Sequence, residues 1–236
     1  MPAADRTLPV APPAWRAGFG RGMGRVLVPL AYRCVVRGRD RVPAEGPLVL
    51  VANHSGLLDG PLVMSVAPRP VTFLVKQELF HGMVGSVLRG VGQISIDRTT
   101  GDRRALDAAR TVLARGGVVG VFPEGTRGRG AASTAEAGVA WLALNAPAPV
   151  IPVAMLGTRR TGDGVARVPG LGRCMAVEFG RPLVLDRAPG TSGRAALEAA
   201  NEAIRVALAA LVASAAARTG LALPTDDPLR SGAGSE

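Results

Sequence analysis

Leu48-Val49-Leu50-Val51-Ala52-Asn53-His54-Ser55-Gly56-Leu57-Leu58-Asp59-Gly60-Pro61 is the stretch from which the rest of the chain can be read. Its first five residues are all apolar and show no helical spacing, which predicts a strand buried on both faces. A polar cluster containing Ser55-Gly56 stops the run and signals a turn. Pro61 then suits the first turn of a helix. Strand, turn and helix in that order form half of a βαβ unit.

The same grammar repeats downstream. Apolar runs at 71–75, 93–96, 118–122, Val150–Leu156 and 175–179 read as strands, and helical spacing covers 61–66, 79–90, 103–115 and 135–145. A last, alanine-rich helix is predicted over 194–217. Strands that alternate with helices predict an α/β fold: a single domain with a mostly parallel central sheet flanked by helices. No internal repeat or linker divides it, and 236 residues suffice for one full core. The polar end of the chain, 221–236, reads as a disordered tail.

Upstream, residues 1–37 form a basic amphipathic segment. Trp15, Phe19, Met23, Val26, Leu27 and Leu30 recur at helical spacing, predicting a helix over 14–37. Such a helix either packs on the domain or lies in a membrane interface with its arginines toward headgroups. Residues 26–36 are too short to span a bilayer and are broken by Pro29 and Arg33. Four prolines among residues 2–13 interrupt any signal-peptide core. Peripheral association with the cytoplasmic face of the cell membrane is the expectation.

Composition narrows the partners. The net charge is +10, and Lys76 is the only lysine, so the excess is arginine, which suits planar contact with phosphate or carboxylate. Apolar residues make up 47% and the mean hydropathy is +0.24. Aromatics are only 3%, too few for base-stacking platforms, so nucleic acid is the weakest of the partners that charge allows. Cys34 and Cys174 stand at no metal-site spacing and suit a reducing compartment.

In open parallel sheets, ligands bind beyond the carboxyl ends of the strands. His54, Lys76, Arg98 and residues 124–127 each follow the end of a predicted strand. With two histidines in the chain, the choice of a base is short, and His81 has no carboxylate at useful spacing. Asp59 reaches His54 only through a turn, since five residues of helix or strand would part them. In such a turn Asp59 accepts from one imidazole nitrogen and leaves the other basic. The alternative is a strand-end histidine and a helix-capping aspartate. Asp97-Arg98 reads either as a solvated ion pair or as a phosphate contact held by its neighbour. Glu124, Gly125, Thr126 and Arg127 present a carboxylate, a hydroxyl and a guanidinium from one glycine-bearing loop, fit to cradle a phosphate.

These pieces resemble a family. Residues 53–59 are similar to the Asn-His-x4-Asp motif of glycerolipid acyltransferases, typified by 1-acylglycerol-3-phosphate acyltransferase. Residues 92–98 resemble that family's second motif, 122–127 its third and Val150-Ile151-Pro152-Val153 its fourth. The likeness spans about residues 35–185, with the motifs in order. Two departures bear on acceptor preference. Ala135-Glu136-Ala137 stands where the family often has a basic residue, and Gly128 replaces a serine-like residue after the third-motif arginine. The His-x3-Asp-Gly acyltransferases are excluded, because the spacing here is one residue longer and the third motif has no counterpart there.

The resemblance implies an acyltransferase domain over 38–220 that transfers a fatty acyl group to the free hydroxyl of a lysophospholipid, foremost 1-acyl-glycerol 3-phosphate, giving phosphatidate. His54 would be general base and Asp59 its orienting partner. Arg98, Arg127 and Lys76, with Glu124, Gly125 and Thr126, would hold the acceptor phosphate. Acyl-CoA or acyl-carrier protein would be the donor, with no cofactor and no metal. Another acceptor, such as glycerol 3-phosphate, a lyso-ornithine lipid or a glycolipid, would use the same machinery. A rival of another class is a non-catalytic membrane-binding protein that keeps the fold.

Overall fold

A computed structural model describes residues 11–97, 102–123, 137–146 and 148–226. Its strands are β1 (Arg33–Arg37), β2 (Leu48–Ala52), β3 (Val71–Lys76), β4 (Ile94–Ile96), β5 (Val118–Val121), β6 (Val150–Leu156) and β7 (Cys174–Phe179). They form one sheet in the order β1-β7-β6-β2-β5-β3-β4. Every pairing between these strands is parallel except β6 with β7, so the mostly parallel α/β expectation holds. The helices are α1 (Ala14–Ala31), α2 (Asp59–Val66), α3 (Gly82–Gly90), α4 (Arg103–Ala114), α5 (Ala137–Asn145) and α6 (Gly193–Thr219).

Strand alternation divides the core in two. On β2, Val49 and Val51 face one side, while Leu48, Leu50 and Ala52 face the other. The first side meets α4, α5 and α6 through residues such as Val112, Leu142, Ile204, Leu208 and Val212. The second meets α2 through Leu62, Val63 and Val66, with Val28 of α1 packed against it. All five residues of β2 and all seven of β6 are buried, as a strand covered on both faces requires.

Three expectations change. The helix predicted over 14–37 ends at Ala31, and Arg33–Arg37 is an edge strand paired with β7. It alternates with a period of two, Cys34 and Val36 inward, and this short pattern runs directly on from the helical period before it. The helix predicted over 79–90 starts later: Gln77–Leu79 form a 3-10 turn and α3 begins at Gly82. The tail expected from 221 is partly docked: Leu221 and Leu223 pack on the core and Pro224 is buried. Residues 227–236 lie outside the described part.

Among the described residues α6 is the one helix long and apolar enough to cross a membrane. Here it lies along the sheet, burying Ala196, Ala200, Ile204, Leu208, Val212 and Ala215 at four- and three-residue spacing. Ser192 caps its start by accepting from the Ala195 amide at 3.2 Å, and Gly220 ends it in the left-handed region at φ 68°.

Candidate active site

The site begins where β2 ends. Asn53 is wholly buried, and its side chain extends the pairing of β2 with β6 beyond Ala52. Nδ2 donates to the Met155 carbonyl at 3.0 Å and Oδ1 accepts from the Met155 amide at 2.7 Å. This clamp sets the position of the next residue, His54.

Ser55 and Gly56 then turn the chain so that Asp59 returns to His54. Asp59 Oδ2 accepts from His54 Nδ1 at 2.8 Å, from the Ser55 amide at 2.7 Å and from the Gly56 amide at 2.8 Å. The carboxylate is fully buried, and burial of such a group is costly unless donors surround it. Asp59 also opens α2, where the helix dipole favours negative charge. The capping alternative is not what is seen: Leu58 is the N-cap and makes no side-chain cap bond, while Asp59, the first residue of the helix, anchors the turn before it and holds the histidine. Because a carboxylate only accepts, Nδ1 donates and the basic lone pair of the neutral ring lies on Nε2.

The ring has an aromatic backing that sequence reading missed. His54 stacks on Phe122 with centroids 4.1 Å apart, and Phe122 stacks on Phe73 at 5.0 Å. Phe73 lies across from Gly120 on β5, where an added Cβ would come within 2.4 Å of its ring. Glycine at 120 thus makes room for the ring that supports the ring behind the histidine. Gly56 serves similarly: its φ is not positive, but an added Cβ would crowd the Thr158 carbonyl at 3.2 Å. Closeness to another segment, rather than freedom of φ, is what that position requires.

His54 lines a cavity of about 1030 Å³ bounded by α1, α2 and α3. Met23, Leu27, Met64, Val84, Val87 and Leu57 make its wall overwhelmingly apolar, with Lys76, Glu78 and Gln93 among its few polar side chains. Gln93 is held rigidly, accepting from the Phe73 amide at 2.8 Å and donating to the Val91 carbonyl at 2.7 Å. Lys76, at the end of β3, thus shares one cavity with His54 as the strand-end argument predicts. Arg98, Glu124, Gly125, Thr126 and Arg127 lie outside the described residues. His81 stands exposed before α3 and is not part of the cavity wall. Burial pushes the Cys34 thiol up to about 11, so it stays protonated and weakly nucleophilic at neutral pH.

Residues 33–156, from β1 to the end of β6, match the Acyltransferase family. Over 128 residues the chain is 37% identical to human 1-acyl-sn-glycerol-3-phosphate acyltransferase alpha, covering 52% of this chain and 45% of that one. It is 28% identical over 142 residues to 1-acyl-sn-glycerol-3-phosphate acyltransferase of Bacillus subtilis, covering 56% and 67%. The chain thus spans about half the length of the human relative. In fold it is similar to the crystal structure of the 1-acyl-sn-glycerophosphate acyltransferase PlsC from Thermotoga maritima, with a TM-score of 0.60 at 24% identity. That match covers 84% of this chain and 78% of the other. The chain belongs to the acyltransferase family.

Proposed function

We propose that the protein transfers a fatty acyl group from a thioester donor, acyl-CoA or acyl-carrier protein, to the free hydroxyl of 1-acyl-glycerol 3-phosphate, forming phosphatidate. The observation that carries this reading is the His54–Asp59 pair set on the wall of a large apolar cavity. The relatives' names supply the acceptor.

His54 Nε2 takes the proton of the acceptor hydroxyl as its oxygen attacks the thioester carbonyl. Asp59 stabilises the imidazolium that forms. The tetrahedral intermediate collapses with cleavage of the C–S bond, and the imidazolium returns its proton to the departing thiolate. Ester and free thiol result, and the histidine is restored without a covalent enzyme intermediate. The buried carboxylate and the stacked Phe122 hold the ring in one orientation, which matters because alignment of base and hydroxyl contributes much of the rate.

The apolar cavity suits an acyl chain, and Lys76 on its wall suits the acceptor phosphate. Arg98 and Arg127 follow β4 and β5 in the sequence, and the carboxyl ends of those strands share the sheet edge with that of β2; both arginines are assigned to the same phosphate. The protein would lie on the cytoplasmic face of the membrane as a peripheral enzyme. Supporting this, α1 leaves Phe19 60% and Leu30 80% exposed, and α3 leaves Met83 84% exposed.

The test is a thioester-release assay crossing acyl-CoA and acyl-carrier donors with lysophosphatidate, glycerol 3-phosphate and other lysolipids. Acyl transfer to lysophosphatidate that is lost in His54→Ala is the expected result. Absence of thioester cleavage with every acceptor tried would leave a membrane-binding protein instead.

A further inference from the structure

The segment after α6 runs back to the edge of the sheet that carries His54 and makes specific polar contacts there. Thr225 donates its amide to Thr161 Oγ1 at 3.1 Å. Asp226 Oδ1 accepts from Arg159 Nη1 at 2.9 Å, and its backbone carbonyl accepts from Arg159 Nη2 at 3.1 Å. Asp226 Oδ2 accepts from the Gly162 amide at 3.2 Å. Arg159 is only 2% exposed and is the largest fully buried side chain among the described residues. A guanidinium so placed has given up its water, and its position depends on the carboxylate that neutralises it.

The residue before it connects this pair to the candidate site. Thr158, also 2% exposed, places its hydroxyl 3.2 Å from the Ser55 hydroxyl, and its backbone lies against Gly56. Ser55 and Gly56 are the residues whose amides hold Asp59, which in turn holds His54. Val165, further along the same loop, lines the cavity. Contacts therefore run from Asp226 through Arg159 and Thr158 to the Ser55-Gly56 turn and the His54–Asp59 pair.

We propose that Arg159 and Asp226 are positioning residues for acyl transfer: the C-terminal strap locks the loop after β6, and that loop braces the turn that aims His54. The proposal rests on His54 being the base. Releasing the strap lets the Ser55-Gly56 turn relax and loosens the Asp59 contact. The imidazolium that forms during the reaction then loses part of its stabilisation. Besides Asp59, the charged side chains on the wall of its cavity among the described residues are Lys76 and Glu78, and the substitutions below leave both in place.

Imidazole 15N NMR titration of the full chain reads this directly, because His81 is the only other histidine and serves as an internal reference. Asp226→Ala is expected to move the His54 midpoint to lower pH, leave His81 in place and reduce kcat about tenfold or more, with the acceptor KM little changed. Asp226→Glu is expected to restore most of both. Thr158→Val keeps the ion pair and removes only the hydroxyl contact to Ser55, so it tests the same connection if Asp226→Ala does not fold. It is expected to shift His54 in the same direction.

An unchanged His54 midpoint and kcat in folded Asp226→Ala and Thr158→Val would overturn the proposal. A His54 midpoint that moves while His54→Ala still transfers acyl groups would uphold the strap as a mechanical link but overturn His54 as base, and the positioning role with it.

Discussion

The two faces of the sheet are equally apolar at the strand level, yet they are finished differently. Under α4, α5 and α6 the core is closed, with Ile204, Leu208 and Val212 no more than 2% exposed. The outer side of the first half of α6 carries the pairs Arg194–Glu198 and Glu202–Arg205, whereas further along Val206, Ala210 and Ala213 are exposed. Under α1, α2 and α3 the core opens into the cavity, and the outer sides of α1 and α3 display Phe19, Leu30 and Met83. One face stabilises the fold. The other holds a void and an apolar exterior, which is useful only if a ligand and a surface fill them.

That contrast can be broken at several points. The largest effect belongs to the open face: His54→Ala should lower kcat about a hundredfold or more while the protein still unfolds cooperatively. Full activity in that variant would remove the assignment. Leu208→Ala should do the reverse, costing about 2–5 kcal/mol in chemical denaturation with kcat of the folded fraction unchanged. A marked loss of turnover per folded molecule would show that the closed face is not independent of the site.

Arg127→Ala should raise the KM for the phosphorylated acceptor about tenfold or more, as loss of a charged hydrogen bond implies. Movement of the donor KM alone would assign Arg127 to the thioester side. Replacing Phe19 and Leu30 together with Ser should weaken flotation with anionic vesicles about tenfold, while stability changes by no more than about 0.5 kcal/mol. Equal flotation would mean that another part of the chain makes the contact.

The smallest effect is at the rim. The hydrogen bond from Arg173 holds the Asp163 carboxyl below its usual range, helped by the Arg160 amide. A depressed pKa in the folded state stabilises it above the unfolded value, about 3.9 for aspartate, and this is lost as pH falls through the folded value. Asp163→Asn should therefore cost a little stability at pH 7 and flatten the acid limb of the profile below about pH 4, where the two proteins converge. An acid limb unchanged in that variant would show that the ion pair contributes nothing measurable.

Much of this was legible from local pattern. Uninterrupted apolar runs marked the buried strands, and the strand β2 was read with its correct ends. The His54–Asp59 contact closes within five residues, so a turn signal between them sufficed to suggest it. Other parts depended on distant residues meeting. The strand Arg33–Arg37 was absorbed into the helix before it, because its short alternation is visible only once β7 provides a partner. The same holds for Thr158 against Ser55, 103 residues away, and for Asp226 against Arg159, 67 residues away.

By itself, then, the sequence determined the layered α/β architecture, the pairing of His54 with Asp59, and the apolar side of α1. Only the tertiary structure decided what surrounds them: Asn53 clamped to Met155, Phe122 behind the imidazole, the cavity between three helices, and the strap from Asp226. The reason is physical. Turns and alternation are fixed by interactions between near neighbours. Which strand lies beside which is settled by the packing of the whole core, and spacing along the chain does not encode it.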